Sequence, residues 1–179
     1  MPKTPRTVLA LDPGLRELGF AVLAGKRLAA SGVRPLFLTP APNRVGEARR
    51  LLKGWLSAYR PDDVVIERTY AHPTGTFDSV HRLATALQKA ASRRGFRTAT
   101  YSPQTVRKAI VGNGNAEKQE SARVLAAKYP ALRMYLTSDR KWKTRYFLNA
   151  FDALALAVFH QGRTRPPAAG PPADPAPRP

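Results

Sequence analysis

Asp63-Val64-Val65-Ile66-Glu67 is the stretch on which the reading of this chain turns. It is short, β-branched at its centre and free of polar alternation, which reads as a strand buried on both faces, the pattern of a parallel sheet packed between helices. Helical periodicity flanks it. Before it, Asn43 can cap a helix in which Val45, Ala48, Leu51, Leu52, Trp55, Leu56 and Tyr59 share a stripe, with Arg49, Arg50 and Lys53 on the other faces. After it, Phe77, Val80, Leu83, Leu87 and Ala91 mark a second amphipathic helix that ends near Arg94-Gly95, and Phe96 to Tyr101 read as another strand.

Farther out, Thr7 to Leu11 is an apolar strand stopped by Asp12-Pro13-Gly14. Leu18 to Leu23 is the next strand, and Gly25-Lys26 turns it into a third, from about Arg27 to Val33. A Pro-rich connection fills 34–42. Toward the C-terminus, Ser102-Pro103 starts a short helix that stops at Gly112, and Asn115 can cap another running to about Lys128. Residues 130–145 read as irregular and basic, and Phe147 to His160, apolar nearly all round, as a buried helix. From Gly162 onward Pro, Ala, Gly and Arg dominate. The expectation is one domain over residues 1–161 and a disordered Pro/Ala/Arg-rich tail over 162–179. Three sequential strands followed by strand–helix units give an α/β fold: a five-stranded mixed sheet flanked by helices, in the ribonuclease H manner.

The 179 residues carry 30 Lys and Arg against 12 Asp and Glu, a net charge of +18. Such an imbalance calls for an anionic partner, nucleic acid first, although an anionic membrane surface or an acidic protein would satisfy the charge alone. The absence of cysteine excludes disulfides, thiolate metal sites and cysteine nucleophiles. No apolar run is long enough to span a bilayer, and the basic Met1 to Arg6 is not followed by a secretory core, so a cytoplasmic protein is the default.

In so basic a chain, carboxylates in apolar settings stand out. Asp12 ends the first strand and Glu67 the fourth. If those strands are parallel neighbours, both side chains emerge at the carboxyl edge of the sheet, where open α/β sheets place their sites. Asp152 lies in the apolar helix three residues after Asn149, so the two share a helix face. Three converging carboxylates are reconciled by cations between them. Hard oxygen ligands suit Mg²⁺, with Mn²⁺ an alternative, and two ions roughly 3.5–4 Å apart can drive an in-line displacement at phosphorus. Simpler readings stay open here: Asp12 as a turn residue, Glu67 solvated or paired with Arg68, Asp152 paired with a buried arginine.

Four segments, in order over roughly residues 7–160, resemble the RuvC Holliday-junction resolvases. They are Leu9-Ala10-Leu11-Asp12-Pro13-Gly14 with Gly19 following; Val65-Ile66-Glu67; Ser102-Pro103 through Val106 with Val111-Gly112-Asn113-Gly114-Asn115-Ala116-Glu117-Lys118; and Asp152-Ala153-Leu154-Ala155-Leu156-Ala157. The resemblance implies a ribonuclease H-like nuclease domain, a homodimer cutting opposed strands of a four-way DNA junction, and a branch-migration motor as partner. It implies that Asp12, Glu67 and Asp152 are catalytic metal ligands, joined by Asn149, and that Lys118 stabilises charge near the scissile phosphate. It places Tyr70 where the family stacks an aromatic on an unpaired base. Arg107 and Lys108, on the polar face of their short helix, are expected to contact phosphate, as are Arg140, Lys141 and Lys143 in the basic segment that also holds Arg133, Trp142 and Arg145.

The departures are specific. The family's fourth acidic residue, or histidine, is here Asn149, which adds no charge; Asp139 is a conceivable substitute. Ala84-Thr85-Ala86-Leu87 replaces the usual Gly-Gln-Ala-Arg in a helix that contributes to the family's dimer contact. Two other functions therefore stand beside junction cleavage: a nuclease of the same superfamily acting on flaps, single strands or RNA, as in YqgF-type proteins, and a non-catalytic DNA-binding module, which Asn149 favours.

Overall fold

The computed structural model describes residues 5–70, 76–137 and 141–164. Five strands form one sheet: β1 (Thr7–Pro13), β2 (Glu17–Ala24), β3 (Arg27–Pro35), β4 (Asp63–Glu67) and β5 (Arg97–Tyr101). Their spatial order is β3-β2-β1-β4-β5. The β1/β2 and β2/β3 pairs are antiparallel, whereas β1/β4 and β4/β5 are parallel. This is the mixed five-stranded α/β architecture expected. Gly25, at φ +55°, makes the tight turn between β2 and β3.

Helices cover both faces: α1 (Arg44–Tyr59), α2 (Thr76–Ser92), α3 (Pro103–Val111), α4 (Lys118–Lys128) and α5 (Lys141–Thr164). Alternation along the strands divides the core in two. Leu9, Leu11, Val64 and Ile66 pack with Leu52, Trp55 and Leu56 of α1 and Leu83 and Leu87 of α2. Val8, Ala10 and Val65 pack on the other face with Leu125 of α4 and Phe151, Leu154 and Leu156 of α5. The unbroken apolar stretch of β4 is thus explained, because each face has its own helical layer.

Several boundaries differ from expectation. Asn115 does not cap a helix. Its own N–H is taken by the Asn113 side chain at 2.9 Å, which turns the chain, and α4 starts later, where Glu117 and Glu120 form a reciprocal capping box. Asn43 flanks α1 without a side-chain cap bond and is itself the end of a 3₁₀ turn, Ala41–Asn43. The segment 130–145 is not uniformly irregular: Pro130–Tyr135 is 3₁₀, and α5 begins at Lys141 rather than Phe147. At its other end α5 continues to Thr164, past the boundary expected at 161; the rest of the Pro/Ala/Arg-rich segment lies outside the described residues. Among the described residues no helix is long and apolar enough to cross a membrane.

The placement of α5 sets up everything that follows. It crosses the sheet diagonally from the carboxyl edge of β1 to the amino edge of β4. Near its start its backbone lies so close to β2 that a Cβ on Gly19 would collide with the Asn149 carbonyl. Near its end, Gln161 Nε2 donates to the carbonyls of Arg6 (3.1 Å) and Leu23 (3.3 Å). There Asp63, 3% exposed, receives Arg6 through two nitrogens, lies 3.2 Å from Arg97 Nε, and faces His160, which also bonds the Tyr101 hydroxyl at 2.9 Å. Burial alone would raise the Asp63 pKa, but the Arg6 hydrogen bond and the charges of Arg6, His160 and Arg97 outweigh it and hold the carboxyl below its usual range.

Candidate active site

Asp12 is the last-but-one residue of β1 and Glu67 the last of β4. The parallel register pairs Leu11 with Ile66, so one further step sets Asp12 beside Glu67. Both have the parity of Ala10 and Val65, and therefore point to the face that α5 covers. From above, α5 lowers Asp152, 7% exposed, while Asp12 is 5% exposed. The three carboxylates expected to meet do sense one another. Burial first, then the charges of Glu67 and Asp152, push Asp12 well above the usual carboxylate range, with Lys118 and Arg107 pulling it back. Burial and Asp152 raise Glu67 to about 7 against the same two cations. A carboxyl kept from ionising by desolvation and like charge is the mark of a site awaiting a counter-charge.

Two basic side chains supply part of that charge. Lys118, the first residue of α4, forms an ion pair through Nζ with Asp152 Oδ2. Its side chain is 43% exposed. Burial alone would lower its pKa, but Asp12, Asp152 and Glu67 together raise it, so Lys118 remains a cation at neutral pH and cannot serve as a base. Arg107, expected on the polar face of α3 to contact phosphate, is half-buried and turned toward Asp12 and Glu67, and among the described residues its buried Nε has no hydrogen-bond partner. Lys108, next to it, is exposed as expected.

Of the simpler readings, Asp12 is buried in β1 rather than in a turn, and Arg68 turns to the Thr100 carbonyl (3.3 Å) rather than to Glu67; Asp152 does hold an ion pair, with Lys118 in place of the arginine expected. Among the described residues no three His, Cys, Asp or Glu side chains close into a ready-made cage for one ion. Asp152 is turned to Lys118 instead, so the ammonium stands where a cation would. The donor set itself fits a hard divalent ion: carboxylate oxygens, buried, with surplus negative charge.

Asn149 lies one turn before Asp152 on α5, and its Nδ2 donates to Glu17 Oε1 at 3.3 Å. Glu17 opens β2 and had no local signal to single it out. Tyr70 is 68% exposed just beyond β4, free to meet a ligand. Of the basic segment, Arg140 lies outside the described residues, as does Asp139. Lys141 and Lys143 fall in the first turn of α5, where only the backbone is described.

A family model described as "Crossover junction endodeoxyribonuclease RuvC" matches residues 8–160. A protein of that name from Streptomyces avermitilis is 34% identical over 161 residues, covering 86% of this chain and 85% of its own. The structure of Thermus thermophilus RuvC in complex with a Holliday junction substrate superposes with a TM-score of 0.64 at 25% identity, covering 87% of this chain and 96% of that one. The yeast mitochondrial Holliday junction resolvase shares the fold, with a TM-score of 0.57 at 13% identity over 86% of this chain and 77% of its own.

Proposed function

The chain belongs to the RuvC family of crossover junction endodeoxyribonucleases, and from that premise we propose that it resolves four-way DNA junctions through the buried acids at the carboxyl edge of its sheet. The observation that carries the reading is the convergence of Asp12, Glu67 and Asp152 on one another's charge within a protein of net charge +18. The family is one of divalent-metal-dependent nucleases. Asp12, Glu67, Asp152 and the Asn149 carbonyl would hold two Mg²⁺ or Mn²⁺ ions, which when bound lower the pKa of the attacking water and neutralise the phosphoryl charge.

The chain's own groups do the rest. Lys118, kept protonated by its acidic neighbours, has N–H donors to spare beyond Asp152 and can turn them to the phosphoryl and leaving oxygens, where negative charge accumulates. Arg107, its Nε unpartnered, adds a second fixed positive charge from α3. Burial of Asp12 and Asp152 keeps bulk water from competing for the same oxygens. Tyr70 offers an open aromatic face on which a base at the junction centre can stack, worth about 1–3 kcal/mol. Lys108, with Lys141, Lys143 and Arg140, is assigned to phosphate contacts along the arms. A homodimer would set two such sites against opposed strands; that assembly and a branch-migration motor as partner rest on family membership.

The test is cleavage of synthetic four-way junctions in Mg²⁺ and in Mn²⁺ by wild-type protein, Asp12→Asn and Asp152→Asn, with flaps, single strands and RNA in parallel. Wild type should cut junctions, and each variant should lose cleavage by about 100-fold or more, as expected when a group acting on transition-state charge is removed, while still binding the junction. Equal activity of Asp12→Asn would overturn the assignment. Tight junction binding by wild type without cleavage in either metal would instead favour the binding-module reading, for which the uncharged Asn149 is the specific observation.

A further inference from the structure

We propose that Glu17 is a positioning residue for the site: its carboxylate captures the amino end of Asn149, so that the amide presents its carbonyl oxygen, and not its NH₂, on the helix face shared with Asp152. The inference rests on the metal-binding reading above. An ionised carboxylate accepts hydrogen bonds and cannot donate them, so only the NH₂ group of an asparagine can pair with it. The observed bond, Asn149 Nδ2 to Glu17 Oε1 at 3.3 Å, therefore fixes which end of the amide is left over. That end is the Oδ1 oxygen, an acceptable ligand for a hard cation; a free NH₂ would repel one.

The geometry around the pair supports a dedicated arrangement. Glu17 opens β2, two residues before Gly19, and Gly19 pairs with Asp12 across the β1/β2 ladder. Gly19 also lies directly under the Asn149 backbone. Asn149 is thus held against the strand beside Asp12, one helical turn from Asp152, with Glu17 at the open end of the same strand. Among the described residues no Lys or Arg forms an ion pair with Glu17, and the bond to Asn149 is the one its side chain makes. Among the described residues this half-buried carboxylate is spent on an amide rather than on a cation, and what it does to that amide explains the pairing. The freedom of the amide to flip is thereby removed.

Mn²⁺ titration of the full chain without DNA, followed by electron paramagnetic resonance, separates the possibilities. Glu17→Ala should weaken Mn²⁺ binding roughly 10-fold or more, the size expected when a group that orients a ligand is removed. Glu17→Gln, which keeps an acceptor oxygen but can also donate, should fall between wild type and Glu17→Ala, since it permits that orientation without enforcing it. In an Asn149→Ala background, Glu17→Ala should have no further effect. Equal loss in Glu17→Gln and Glu17→Ala, or a Glu17→Ala effect that persists without Asn149, would assign Glu17 to bulk electrostatics and overturn the proposal. Unchanged binding in a folded Glu17→Ala protein would do so as well. If wild type binds Mn²⁺ no better than Asp152→Asn, the metal-binding reading itself falls and this inference with it, an outcome distinct from the others.

Discussion

At Glu67 the fold holds a carboxyl whose protonated form burial and Asp152 favour up to about pH 7. A folded-state pKa above the unfolded value of 4.5 means that the folded protein binds a proton the unfolded chain has already released, so stability is lost as pH rises through that interval. With metal chelated, Glu67→Gln should therefore melt at the same temperature as wild type near pH 4, gain on it progressively between about pH 4.5 and 7, and hold the gain above that. A constant difference across the series would mean that Glu67 is not held off its charge. Asp12, Glu67 and Asp152 stood out by position, because a charge at a strand end or inside an apolar helix is conspicuous, but their joint role rested on the sheet order and on the family resemblance. Glu17 did not stand out. It lies 132 residues from Asn149 in sequence, and its role exists only once α5 is laid on β2. Arg107 was legible as a basic residue, but its inward direction depends on how α3 docks.

At the scale of elements, α5 meets β2 with no room to spare. Gly19→Ala places a methyl group against the Asn149 carbonyl, which is backbone and cannot swing aside. Overpacking of this kind costs about 1–3 kcal/mol, to be read as a lowered urea midpoint. The displaced helix should carry Asp152 with it, so cleavage should fall further than stability explains. A Gly19→Ala protein with wild-type stability would refute the close approach. The strands were readable because their alternation, or the lack of it in β4, follows directly from which faces are covered. Helix starts were less so. Asn115 has a cap's chemistry, but Asn113 captures its N–H first, and the cap passes to Glu117, whose pairing with Glu120 satisfies two backbone donors at once. The opening turns of α5 run Lys141-Trp142-Lys143-Thr144-Arg145, a sequence without an apolar stripe to announce a helix.

For the molecule as a whole, a surplus of positive charge surrounds a small pocket of negative charge. The surplus draws the phosphate backbone in, and the pocket sets where chemistry can occur. Junction affinity should accordingly fall by about 10³-fold or more between about 50 and 200 mM salt if some six phosphates are contacted, measured by fluorescence anisotropy. Asp12→Asn should show the same slope, since it removes no contact to the arms; a flat dependence would argue against an electrostatic footprint of this size.

The sheet's two rims are finished differently. Around Asp63 every charge has an opposite within reach, whereas around Asp12 and Glu67 the negative charge outruns Lys118 and Arg107. One end of each parallel strand is thus clamped and the other is under tension, so backbone amides should exchange with deuterium faster toward Glu67 than toward Asp63. Loading the site with a divalent ion should slow exchange at the tense rim alone, which makes the resting protein looser at its proposed site than where it is anchored.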